Sequence, residues 1–112
     1  MNFKIHLICL HCYVSDEKEG DEVFLKYDGK KIWPKEQKYV KIKEGSQKIG
    51  YEIEAEKGSS KEVEIWDYDL LSSNDKLGVV SLLADVQGGP FRSEMARRET
   101  GRAHYVLEWE VL

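Results

Sequence analysis

Residues 48–66 constrain the fold more than any other stretch, because they alternate apolar and charged side chains with a period of two. Ile49, Tyr51, Ile53 and Ala55 share one parity; Glu52, Glu54 and Glu56 share the other. After the turn signal Gly58-Ser59-Ser60 the pattern resumes, with Val63 and Ile65 on the apolar side. Successive side chains of a strand point to opposite faces, so the pattern is that of a hairpin with one face on a core and one in water. A helix cannot bury this set, since a 3.6-residue period scatters it around the axis.

The rest of the chain is punctuated in the same way. Residues 3–13 put Ile5, Leu7 and Cys9 on one parity and Ile8 and Leu10 on the other, which predicts a strand buried on both faces. Residues 22–27 predict a second strand, Asp28-Gly29 a tight turn, and residues 30–33 a third strand stopped by Pro34, which has no N–H for a ladder. Residues 39–43 set Val40 and Ile42 against Tyr39, Lys41 and Lys43, as a half-buried strand does. Residues 77–83 and 105–111 complete the set. Gly88-Gly89-Pro90 reads as a break, and residues 91–100 as a short helix capped by Ser93 and ended by Gly101. The expectation is an all-β, eight-stranded antiparallel β-sandwich forming a single domain over residues 1–112, with at most one short helix before the last strand.

Composition narrows the functions available. A formal net charge of −4 argues against nucleic acid as partner. The charge is unevenly spread: residues 28–48 hold seven lysines against Asp28, Glu36 and Glu44, so a basic face survives on an acidic molecule. Residues 5–14 are too short and too interrupted by His6 and His11 to span a bilayer, and no small-residue cleavage site follows them. The expected compartment is therefore cytoplasmic, where Cys9 and Cys12 have no reason to form a disulfide. In an extended strand these two cysteines also point to opposite faces, and no second C-x-x-C or H-x-x-H completes a zinc site.

Residues 66–78, WDYDLLSSNDKLG, carry the most specific chemistry. Asp67 and Asp69 end one strand and Asp75 precedes the next, so three carboxylates reach one loop mouth. Their repulsion is relieved most simply by a hard divalent cation, which prefers oxygen ligands. An EF-hand fails on counting: a loop begun at Asp67 puts Ser72 where the glycine belongs and Gly78 where the bidentate Glu is required. Leu70 and Leu71 lie between the acids, as apolar anchors for a membrane or partner do.

This arrangement resembles a C2 domain, an eight-stranded sandwich in which a D-x-D and an Asp six residues later line one calcium loop. Asp67, Asp69 and Asp75 match that spacing, and Leu77-Gly78 matches the step into the next strand. The family's other acidic loop corresponds to residues 14–25, where Asp21 matches the second ligand and Asp16 the first. Two departures stand out. Glu22 replaces a common Pro, and the gap from Asp16 to Asp21 is one residue short, which leaves Glu17 or Ser15 as alternative ligands. The resemblance implies a module that coordinates Ca²⁺ through Asp16, Asp21, Asp67, Asp69 and Asp75. It also implies docking to an acidic phospholipid membrane or a protein partner, with Leu70, Leu71, Lys30, Lys31, Lys41 and Lys43 in contact. The alternative is a metal-independent C2-like scaffold for protein interaction within a larger assembly. No nucleophile triad, Gly-rich phosphate loop or small-molecule site is evident, so the chain does not read as an enzyme.

Overall fold

The computed structural model describes all residues from Met1 to Leu112 and contains ten strands and no helix. They are β1 (Asn2–Val14), β2 (Asp21–Tyr27), β3 (Lys30–Trp33), β4 (Val40–Ile42), β5 (Gly45–Glu56), β6 (Ser59–Asp67), β7 (Asp75–Ala84), β8 (Gly88–Glu94), β9 (Ala96–Arg97) and β10 (His104–Val111). One sheet runs β5-β1-β10-β8 and the other β3-β2-β6-β7-β9, with β4 also paired to β2, and every pairing is antiparallel. Two such sheets packed through their apolar faces form a β-sandwich. No helix is long and apolar enough to cross a membrane.

The alternating segments behave as their periodicity demands. Ile53 and Ala55 of β5 are buried while Glu52, Glu54 and Glu56 are exposed, and Val63 and Ile65 of β6 face the core. Asp28 and Gly29 adopt positive φ, as a two-residue hairpin turn requires. All eight expected strands are present. Ile5, Leu7, Leu10, Leu25, Ile65, Leu77, Leu82, Tyr105 and Leu107 are almost wholly removed from water. Each such aliphatic side chain contributes on the order of 1.5–3 kcal/mol by its burial.

Three expectations fail, each for an identifiable reason. The first strand is not buried on both faces. A bulge between Leu7 and Cys9 shifts the register against both neighbours, so Leu10 and Cys12 continue the inward series of Ile5 and Leu7. Cys9 is thereby turned outward, and both cysteines are free thiols. The second failure is the helix at residues 91–100, where the chain instead continues β8 to Glu94, forms β9 at Ala96–Arg97 and then turns. Phe91 and Ser93 face Trp109 of β10: the two aromatic rings lie 4.9 Å apart, and Trp109 Nε1 donates to Ser93 Oγ at 3.0 Å. Gly88-Gly89-Pro90 begins β8 rather than breaking the pattern, because β8 is an edge strand where a missing N–H costs no ladder bond. At buried Met95 the chain crosses to the second sheet, where β9 pairs with β7. Gly78 allows that approach, since a Cβ there would stand 2.4 Å from the Ala96 carbonyl oxygen.

Candidate functional site

Two loops meet at one end of the sandwich: residues 15–20 between β1 and β2 (loop one), and residues 68–74 between β6 and β7 (loop two). Asp21 and Asp67 are carried there by adjacent strands of the second sheet. Val23 of β2 is paired with Asp67 itself, and the Glu22 N–H donates to Asp67 Oδ1 at 2.8 Å. Carboxylate oxygens of Glu17, Asp21 and Asp67 lie within 4.8 Å of one another. Asp21 is fully buried and Asp67 is 6% exposed, whereas Glu17 is exposed.

Asp21 is the most heavily bonded carboxylate of the mouth. Its Oδ2 accepts from the Asp16 N–H at 2.8 Å and from the Tyr105 hydroxyl at 2.6 Å; its Oδ1 accepts from the Glu17 N–H at 3.0 Å. Burial and this bond to a carboxylate hold the Tyr105 phenol well above its ordinary range, so it remains a donor. Asp67 has one backbone donor and two acidic neighbours. Loss of hydration, reinforced by the charges of Glu17 and Asp21, raises its carboxyl to about 7 despite the Glu22 N–H.

The other expected ligands are placed differently. Asp16 turns away from Asp21 and Asp67. Its Oδ2 accepts from the Arg98 guanidinium at 2.7 Å and its Oδ1 from the Arg102 N–H at 3.0 Å. Asp69 closes its own turn, accepting from Ser72 Oγ at 2.7 Å and the Leu71 N–H at 2.9 Å, bonds that hold its carboxyl below the usual range. Its N–H is taken by Asn74 Oδ1 at 2.8 Å. Asp75 is exposed and stands across the ladder from Asp67. The mouth therefore brings together Asp21 and Asp67 of the expected set, with Glu17 as their companion. Ser15, the other alternative, is buried and donates to the Glu17 carbonyl instead.

At the tip of loop two, Leu70 and Leu71 are 78% and 93% exposed. Beside it, the outer face of the second sheet carries a groove of about 300 Å³ lined by Phe24, Lys31, Lys38, Tyr68 and Asn74. Stacked aromatic pairs flank it, Phe24 on Trp66 at 6.1 Å and Tyr39 on Tyr68 at 5.3 Å. Lys26 Nζ sits 4.6 Å above the Trp66 ring and Lys38 Nζ 5.7 Å from that of Tyr68, both within cation–π range. Of the lysines in the basic stretch, Lys31 and Lys38 line this groove. Lys30 and Lys41 are exposed at the edge strands β3 and β4. Lys43 borders a separate depression with Tyr13, Lys18 and Arg102. Trp33, at the end of β3, is buried in the core. Lys26 and the pairing of Phe24 with Trp66 and of Tyr39 with Tyr68 were missed because the partners lie far apart in sequence. The outward parity of Phe24 and Trp66, opposite Val23, Leu25 and Ile65, was the available signal.

No family model and no curated protein sequence matches the chain. Its backbone does match a solved structure, the first (A) C2 domain of plant Extended Synaptotagmin 1, with a TM-score of 0.57 at 17% identity, over 98% of this chain and 92% of that one. Two structures of the paired A and B C2 domains of Extended-Synaptotagmin 2, one of them calcium bound, give TM-scores of 0.46 and 0.48 at 22% and 18% identity. Each covers 96% of this chain, which spans 40% and 45% of those chains. At such identity the match with the plant domain establishes a likeness of fold.

Proposed function

We propose, from the premise that this chain has the fold of a C2 domain, that it is a calcium-dependent docking module for acidic membrane surfaces. The observation that carries this reading is Asp67, a buried carboxyl raised to about 7 beside Glu17 and Asp21. A donor set of hard oxygens with no basic side chain among them suits Ca²⁺. Glu17, Asp21 and Asp67 would hold the ion, with Asp69 and Asp75 on the rim. Asp21 is already oriented by three donors, so little ordering is left to binding.

Bound Ca²⁺ would supply positive charge where the free mouth repels anions. Leu70 and Leu71 would then enter the interfacial layer, and the groove lined by Lys31 and Lys38 would take an anionic headgroup against Phe24 and Tyr68, with Lys26 over the adjoining Trp66 ring. Free thiols at Cys9 and Cys12 suit a reducing, cytoplasmic location at the membrane periphery. Cosedimentation with vesicles containing phosphatidylserine, in Ca²⁺ and in chelator, tests the proposal. Pelleting in Ca²⁺ alone, lost in Asp67→Asn, is the expected result, and equal pelleting in both conditions contradicts it.

A second reading has its own support. The Arg98–Asp16 pair and the Tyr105–Asp21 bond keep loop one assembled without metal, as a calcium-independent scaffold for protein interaction requires. It predicts no vesicle binding at all and no response to chelator.

A further inference from the structure

Residues 98–103, joining β9 to β10, lie against loop one as a strap. The strap is fixed at its root by the Arg98 N–H, which donates to the Leu77 carbonyl at 3.2 Å, and by a turn in which the Gly101 N–H donates to the Arg98 carbonyl at 3.0 Å. It grips loop one through two arginines. Arg98 meets Asp16 Oδ2 at 2.7 Å, while Arg102 gives its N–H to Asp16 Oδ1 and its Nε–H to the Ser15 carbonyl, both at 3.0 Å. The fit is close: a Cβ on Gly101 would stand 3.0 Å from Arg98 Cγ and 3.3 Å from Asp16 Oδ1.

We propose that Arg98 is a resident cation of the mouth, neutralising Asp16 in place of a metal and thereby limiting the loops to a single divalent ion. The limit on ion number rests on the metal-binding reading above; the neutralisation does not. Asp16 is the carboxylate that would enlarge the site, and its side chain is only 13% exposed. Both its oxygens are engaged by the strap, so an ion there must displace a charge-assisted bond and then face a guanidinium that stays charged at any working pH. Glu17, Asp21 and Asp67 form no ion pair with any Lys, Arg or His. The mouth is thus divided into a half neutralised by the protein and a half left open to a metal. Since Arg98 is anchored to Leu77, just beyond loop two, the strap also ties the two loops together.

The test is native mass spectrometry and calorimetric titration with Ca²⁺ on the wild type, Arg98→Gln, Arg98→Lys and Arg98→Gln/Asp16→Asn. Arg98→Gln should gain an ion that the wild type and Arg98→Lys do not take, and adding Asp16→Asn should remove the gain. One ion in both wild type and Arg98→Gln overturns the proposal and leaves the metal-binding reading intact. No ion in the wild type but one in Arg98→Gln upholds the neutralisation of Asp16 by Arg98 and overturns the metal-binding reading together with the limit of one ion. No ion in any variant overturns both. Should Arg98→Gln fail to fold, Asp16→Asn alone decides: an unchanged ion count is expected, and loss of the ion shows Asp16 to be a ligand and Arg98 no substitute.

Discussion

Loop one and loop two each deliver acidic side chains to the same end of the sandwich, yet the protein occupies them to different degrees. In loop one, Asp16 and Asp21 accept from two backbone N–H groups, a buried tyrosine and the arginine strap, all part of the folded frame. In loop two, Asp69 bonds only within its own turn, Asp75 is exposed, and Asp67 keeps a single donor. The contrast teaches that an aspartate at a loop mouth has two separable uses. One is to hold a loop in shape; the other is to remain under-satisfied and so respond to a ligand. Asp67 and Asp21 are both buried beside acids and without a cation, but Asp21 has three donors where Asp67 has one, and burial next to Glu17 and Asp21 raises the proton affinity of Asp67.

The largest effect should come from the holding group. Asp21→Ala strands two backbone donors and the Tyr105 hydroxyl in a buried place, and should cost about 3 kcal/mol in chemical denaturation. A loss well under ~1 kcal/mol would show that loop one does not depend on that carboxylate. Tyr105→Phe removes one of those donors and should cost about 1–2 kcal/mol, read in the same assay.

Asp67 should behave in the opposite sense. Its folded-state proton affinity exceeds that of the unfolded chain, so it stabilises most below about pH 4, and this contribution disappears as pH rises through about 7. Asp67→Asn keeps an oxygen for the Glu22 N–H and removes the charge. In chelator it should match the wild type near pH 4 and exceed it by about 1–2 kcal/mol at pH 8. A variant less stable than the wild type at pH 8 would erase the distinction between the loops. The smallest effect on stability should follow changes at the tip of loop two. Leu70→Ser/Leu71→Ser should leave the thermal midpoint unmoved and weaken vesicle binding roughly tenfold or more, since each exposed leucine loses a burial it makes only at the membrane. Unchanged vesicle binding would remove these residues from the docking surface.

How much of this was legible in the sequence follows from the range of each interaction. Strands β5 and β6 were readable because one apolar face imposes a period of two on neighbouring residues. The hairpin at Asp28-Gly29 was readable because few residues tolerate positive φ. The bulge at Ile8 and Cys9 left no local mark, since register is fixed by pairing with β5 and β10. The helix expected over residues 91–100 rested on end signals, Ser93 and Gly101, although the alternation of Phe91, Ser93 and Met95 against Arg92 and Glu94 already favoured a strand. Of the acidic cluster, Asp67 was singled out by spacing and Asp21 by the family resemblance. The partners that assign Asp16 and Asp21 their roles, Arg98 and Tyr105, lie 82 and 84 residues away, beyond any local pattern.

In the proposed site Glu17, Asp21 and Asp67 hold one Ca²⁺, and Asp67 releases its proton to solvent as the ion binds. Thermal unfolding at pH 6 and pH 8, with millimolar Ca²⁺ and with chelator, tests this directly, because a ligand that binds only the folded state raises the midpoint. The midpoint should rise in Ca²⁺, by more at pH 8, where Asp67 is already ionised, and should not rise in Asp67→Asn. A midpoint indifferent to Ca²⁺ at both pH values would contradict it.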